Sequence, residues 1–301
     1  MSRRRPVFSL AAVAALSLIP SLSAQTSVAT VPSNSITQPP QQPITAPATV
    51  TTPAPQIPSP TPAAASSPAM GMQKPQAGAS GVERSSYSSV HVDGPYIAMT
   101  FDDGPNATLT PKLLDILKER HIHVTFFVLG QCVKEHPEIL QREIAEGHEI
   151  GNHTWDHLPL TKVVSKEGGL NHEIADTSAL IKEVSGKPPV ILRPPYGATT
   201  PRLSRAIENQ YGLKVILWSV DPDDWKDPGA SVVESRILNG WKDSGGAKPG
   251  AIILSHDIHK GTVEAMPATL DALLAKGYKF VTVSELIALE KSPTPTPSKK
   301  P

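Results

Sequence analysis

Between residues 86 and 290, short apolar runs alternate with segments whose apolar positions recur every three or four residues. The runs read as strands: YIAMTF (96–101), VTFFVL (124–129), HEIGNH (148–153), PVILRP (189–194), KVILWSVD (214–221), GAIILSHD (250–257) and KFVTVSEL (279–286). The periodic segments read as helices. TPKLLDILKERH (110–121) presents Leu113, Leu114, Ile116 and Leu117 on one face, and PEILQREIAEG (137–147) is stopped by Gly147. Four more helices are predicted over 173–186, 201–212, 232–245 and 264–277. Strand–helix alternation of this kind predicts parallel strands joined by crossover helices. The expected fold class is α/β, a distorted (β/α) barrel of about seven parallel strands. An open doubly wound sheet is the alternative, but no dinucleotide glycine fingerprint follows the first strand and no phosphate loop occurs.

The rest of the 301-residue chain has another composition. Residues 1–24 run from a basic start through an apolar stretch to small residues, the layout of a cleaved signal peptide, with an uncleaved anchor as the alternative. Residues 25–85 are dominated by Pro, Thr, Ser, Ala and Gln. They bury too little apolar surface to offset ordering, which predicts a disordered linker of about 3 Å per residue. Residues 291–301 form a second, short tail of this type. The folded domain is expected over 86–290, in an exported protein: periplasmic, wall-associated or secreted. No transmembrane domain is expected after signal cleavage. The formal net charge of zero gives no pull toward nucleic acid as a partner. The lone Cys132 excludes an intramolecular disulfide and is expected to be a small buried residue. A monomer is expected.

The unusual polar residues fall at the C-terminal ends of the predicted strands: Asp102 and Asp103, His153, Arg193, Asp221, and His256 with Asp257. In (β/α) barrels that face carries the active site. His153 and His157 meet on one face if their loop enters a helical turn. Two imidazoles and a carboxylate suit a borderline divalent ion such as zinc, in a site that keeps one position open. The Asp–Gly–Pro step is turn chemistry, which accounts for Gly104 and Pro105 but not for two adjacent carboxylates. His121, His123, His136, His148 and His172 are read as structural. The composition is poor in aromatics, with no obvious stacking platform for a long sugar chain.

TFDDGP (100–105), HTWDH (153–157), RPPYG (193–197), DPDDW (221–225) and LSH (254–256) occur in the order of the five motifs of polysaccharide deacetylases. These are the carbohydrate esterases of family 4, with the NodB homology domain. The chain resembles this family over 95–290. The resemblance implies a distorted (β/α) barrel and a metal held by Asp103, His153 and His157: one divalent ion, zinc first, with cobalt or nickel as substitutes. It implies Asp102 as general base with Arg193 as its charge partner, and His256 as general acid with Asp224 behind it. It also implies the Tyr196 backbone N–H as oxyanion donor, and a pocket for the acetyl methyl lined by Trp225 and Leu254. DPDDW carries an extra acid, and Asp224, directly before the tryptophan, matches the family best. The implied activity removes N-acetyl groups from GlcNAc units of an exported β-1,4 glycan, peptidoglycan or a chitin-type oligosaccharide. An acetylxylan O-acetyl esterase and a catalytically silent glycan-binding protein are the alternatives. A metallopeptidase of the His-Glu-x-x-His type is excluded by the absence of that motif.

Overall fold

The computed structural model describes residues 84–164 and 168–290. The expected signal peptide, all but the end of the expected linker, and the C-terminal tail lie outside the described residues. In chain order the elements are β1 (Tyr96–Asp102), α1 (Thr110–Glu119), β2 (Thr125–Val128), α2 (Gly130–Glu135), α3 (Pro137–Ala145), β3 (Glu149–Asn152) and α4 (Leu160–Val163). A π-helical stretch, Asn171–Asp176, leads into α5 (Thr177–Ser185). There follow β4 (Ile191–Leu192), α6 (Pro201–Tyr211), β5 (Lys214–Val215), α7 (Ala230–Asn239), β6 (Gly240–Trp241), β7 (Ser244–Gly245), β8 (Ile252–Ile253), α8 (Lys260–Ala275), β9 (Lys279–Phe280) and α9 (Val283–Ala288).

Seven strands form one parallel sheet in the order β5-β4-β3-β2-β1-β8, with β9 also paired to β1. The sheet curls into a half-barrel. The chain that leaves β5 beside β4 comes back against the far side, where Val220 pairs with Ile253. Residues before the first strand enter between these edges, Tyr87 pairing with Ile216 and Ser89 with Ala251.

The period-two alternation of β1 positions the site. Ile97, Met99 and Phe101 point outward into a core shared with Leu113, Leu114 and Leu117 of α1 and Met266, Leu270 and Leu273 of α8. Each such leucine, fully buried, contributes about 1.5–3 kcal/mol. Ala98, between them, packs instead with Phe127, Ile191, Ile216 and Ile252 on the inner side. Thr100 and Asp102 continue this inner row, so β1 delivers a buried carboxylate to its C-terminal end.

Some sequence expectations differ from the structure. The predicted helix 232–245 ends at Asn239, and 240–245 is a β6–β7 hairpin. Gly240 takes φ 91°, and a Cβ there would lie 2.8 Å from the Ser244 carbonyl oxygen, so the helix cannot continue through it. The strand predicted over 279–286 stops at Phe280, because Thr282 and Glu285 cap α9 reciprocally. The short helix α2 carries too few apolar positions to show a period.

Candidate functional site

Five segments reach one cavity of about 390 Å³ at the C-terminal ends of the strands. Its walls include Asp102, Asp103, His153, His157, Tyr196, Trp225, Leu254 and His256. Arg193 and Asp224 stand behind this wall, each bonded to a residue that lines it.

Arg193 follows β4 and is fully buried. Its Nη1 donates to Asp102 Oδ1 at 2.7 Å and to Thr100 Oγ1 at 2.7 Å, and its Nη2 donates to the Leu217 carbonyl at 3.1 Å. The guanidinium lies 4.1 Å from the centroid of the Phe127 ring. Burial draws its pKa down, and Asp102 opposes this. The inner row of β1 and β2 thus reads Thr100, Asp102 and Phe127 as one cradle for a buried cation.

Asp103 leaves the strand at φ 74°, which turns its carboxylate away from that of Asp102. Its Oδ1 lies 3.3 Å from both His153 Nε2 and His157 Nε2. Burial would raise the Asp103 pKa, but the two imidazoles hold it well below the carboxylate range. The segment 153–157 does not enter the helical turn that would bring the pair onto one face: Thr154 and His157 have φ of 73° and 58°. The two rings still come within 5.0 Å, because the loop is pinned from outside. Asn152 Oδ1 accepts from Thr154 N, and buried Glu173 accepts from the backbone of Trp155 and Asp156 at 2.9 and 3.1 Å. Neither Asn152 nor Glu173 belongs to a readable motif, so no sequence signal marks them.

The donor set fits a divalent cation. His153 Nδ1–H donates to the Arg193 carbonyl at 2.7 Å, so Nε2 carries the lone pair. Burial lowers the pKa of His157, favouring its neutral form. Asp103 Oδ1 is buried without a hydrogen-bond partner among the described residues. The three ligand atoms lie within 4.8 Å of one another. Electron pairs converging on one point in a buried setting repel unless a cation stands among them.

After β8, His256 pairs with Asp102 along the backbone, and its Nδ1 meets Asp224 Oδ1 at 2.8 Å. Asp224 Oδ2 accepts from the His256 backbone N–H at 2.8 Å and from Thr262 Oγ1 at 2.7 Å. Of the three acids in DPDDW, Asp224 is therefore the one facing His256. Asp221 accepts from the Trp218 indole, and Asp223 pairs with Lys226 and Lys242. Burial works against charge on His256, but Asp224 outweighs it and pushes the imidazole pKa up to about 9. Asp257, next in sequence, is fully buried below Gly104, where any Cβ would collide with its carboxyl. Burial raises its pKa to about 7.

Tyr196 sits at φ 60°, and its hydroxyl pairs with His157 Nδ1 at 3.2 Å. Leu254 is buried at the cavity floor, whereas Trp225 is half exposed at the rim with Lys226 over its ring. Trp225 is therefore not a core residue. Cys132 is only half-buried, not fully as expected, and burial lifts its thiol pKa to about 11. His148 is buried and accepts from Val124 N, a structural role.

The polysaccharide deacetylase family model matches residues 89–216. The chain is 43% identical over 190 residues to the peptidoglycan-N-acetylglucosamine deacetylase PgdA of Listeria monocytogenes, covering 63% of this chain and 38% of that protein. It is 42% identical over 195 residues to the peptidoglycan-N-acetylmuramic acid deacetylase PdaC of Bacillus subtilis, covering 65% and 39%. The chain thus spans about two fifths of the length of these relatives. Among solved structures, the Bc1960 peptidoglycan N-acetylglucosamine deacetylase superposes with a TM-score of 0.62 at 32% identity, covering 69% of this chain and 96% of that one. The chain belongs to the polysaccharide deacetylase family.

Proposed function

We propose that the chain hydrolyses the acetamide of N-acetylated sugars in peptidoglycan, releasing acetate and leaving a free amine on the glycan. The observation that carries this is that two ion pairs, Asp102–Arg193 and His256–Asp224, bring a carboxylate and an imidazole into the same cavity as the Asp103–His153–His157 cluster. Amide hydrolysis needs a base for the water and an acid for the leaving nitrogen. The likeness to PgdA and PdaC supports peptidoglycan over chitin or xylan as substrate.

Asp103, His153 and His157 would hold the ion, and zinc suits their chemistry best. When bound, such an ion supplies Lewis-acid polarisation of the acetyl carbonyl and acidification of water. Asp102 accepts the proton of the attacking water, its carboxylate fixed in direction by Arg193. The water oxygen bonds to the acetyl carbon. The Tyr196 backbone N–H donates to the oxyanion, a contact of the kind worth about 3–4 kcal/mol in the transition state. His256, charged through its contact with Asp224, gives its proton to the sugar nitrogen as the C–N bond breaks. Leu254 and Trp225 enclose the methyl. Residues 1–24 act as an export signal and 25–85 as a tether in this reading, which places a monomeric enzyme outside the cytoplasm. Among the described residues no helix is long and apolar enough to cross a membrane.

The test is acetate release by the full chain from peptidoglycan, chitopentaose and acetylxylan, after chelation and again with zinc restored. The expected result is zinc-restored release from peptidoglycan. Release from acetylxylan alone would instead make the chain an O-acetyl esterase. Asp224→Asn gives a second expected outcome. The alkaline limb of the wild-type kcat/KM profile should lie at about 9. In the variant it should fall toward the ordinary imidazole range of about 6.5, since only Asp102 and Asp103 then oppose burial. An unmoved alkaline limb would remove Asp224 from this role.

A further inference from the structure

The hairpin that replaces the end of the predicted helix builds a second cavity beside the first. This cavity, of about 510 Å³, is lined by Trp241, Lys242 and Ser244 of the hairpin, and by Trp218, Asp221 and Asp223. The last three also line the catalytic cavity, so the two are limbs of one cleft. Three of the chain's four tryptophans, Trp218, Trp225 and Trp241, stand along it. The chain as a whole is poor in aromatics; the cleft is not.

Trp241 is held as a fixed plate. Its indole N–H donates to Asp223 Oδ2 at 3.1 Å, and the Arg236 guanidinium lies 4.0 Å from its ring centroid. Arg236 is itself anchored on the Pro222 carbonyl at 2.8 Å. Even so, 41% of the tryptophan is exposed. Ser244 Oγ accepts from Asp221 N at 2.6 Å, and Lys242 Nζ bonds Asp223 Oδ2 at 2.5 Å. Both ties run to the loop that also carries Asp224 and Trp225, so the plate sits in fixed register with the catalytic wall. An anchored aromatic ring beside hydroxyl, carboxylate and ammonium groups matches a pyranose, which has an apolar C–H face and a polar rim.

We propose that the β6–β7 hairpin is a sugar subsite, in which Trp241 stacks a pyranose of the same glycan strand next to the residue being deacetylated. This rests on the deacetylase reading for the identity of the strand. The subsite makes the enzyme read chain length: a disaccharide seated at the catalytic cavity gains nothing from Trp241, whereas a longer oligomer does.

The experiment compares chitobiose with chitopentaose as substrates for the full chain, as wild type, Trp241→Ala and Trp241→Phe. The alanine variant should lose roughly tenfold in kcat/KM on the pentasaccharide, through KM, with kcat unchanged. Its kcat/KM on the disaccharide should stay at the wild-type value, and the phenylalanine variant should keep most of the preference for length. Equal losses on both substrates, or no loss on either, would overturn the subsite. Calorimetric binding of chitopentaose separates this from the reaction itself. Weaker binding by Trp241→Ala in a chain that releases no acetate would uphold the subsite while the deacetylase reading failed. Acetate release with unchanged length preference would do the reverse.

Discussion

Asp102→Asn is expected to lower kcat by about 10²–10⁴-fold, the range for a positioned general base, while metal content stays at the wild-type level. The substitution is nearly isosteric. The amide oxygen can still accept from Arg193, which holds Asp102 Oδ1 at 2.7 Å. What is lost is the basic oxygen at Oδ2, on the side facing the His153 ring at 3.6 Å. Asp103 is the carboxylate equidistant from both imidazoles, so it is the ligand in this account and Asp102 is not. Measuring metal content and acetate release together separates the roles. A variant that lost its metal along with its activity would make Asp102 a ligand.

Arg193→Ala should destabilise the fold by about 3–5 kcal/mol, because it leaves a buried carboxylate with no cation. Arg193 has no exposed surface, and it ties together Thr100, Asp102 and Leu217 from two regions of the sheet. Lysine supplies no planar fork and should restore only part of the stability. The double variant with Asp102→Asn discriminates between causes. If the unpaired charge is the main cost, the double variant should be more stable than Arg193→Ala alone. If lost packing on Phe127 dominates, adding Asp102→Asn should recover nothing. Urea unfolding midpoints at neutral pH would distinguish these outcomes.

The strand ends were readable because each one breaks a rule inside an apolar run. A β-strand of YIAMTF cannot place Asp102 at its end by hydrophobic patterning, and the same holds for Arg193 after PVIL. The inward direction of Asp102 also follows from alternation along β1. What the pattern could not carry was anything set by long-range packing. The approach of His153 to His157 arises from left-handed backbone at Thr154 and His157, held by Asn152 and by Glu173 from the following helical segment. Left-handed non-glycine residues cost about 1–3 kcal/mol each and persist only where surroundings over-determine them. Asp103, His157, Tyr196 and Asp223 are all of this kind, and all line the cavity. The hairpin at 240–245 was hidden because Leu238 ends the helical period, so nothing apolar marks the change except Trp241. Its contacts with Asp223 and Asp221 join residues that are 18–23 positions apart in sequence.

Asp103, His153 and His157 are expected to form a metal-dependent deacetylation site. The deciding experiment strips the full chain with a chelator and titrates zinc back while acetate release from peptidoglycan is recorded. The expected result is no release from the stripped chain, a rise to a plateau at one equivalent of zinc, and a flat response for Asp103→Ala at the same zinc additions. Undiminished release from the stripped wild type, or a zinc-restored Asp103→Ala variant, would contradict it.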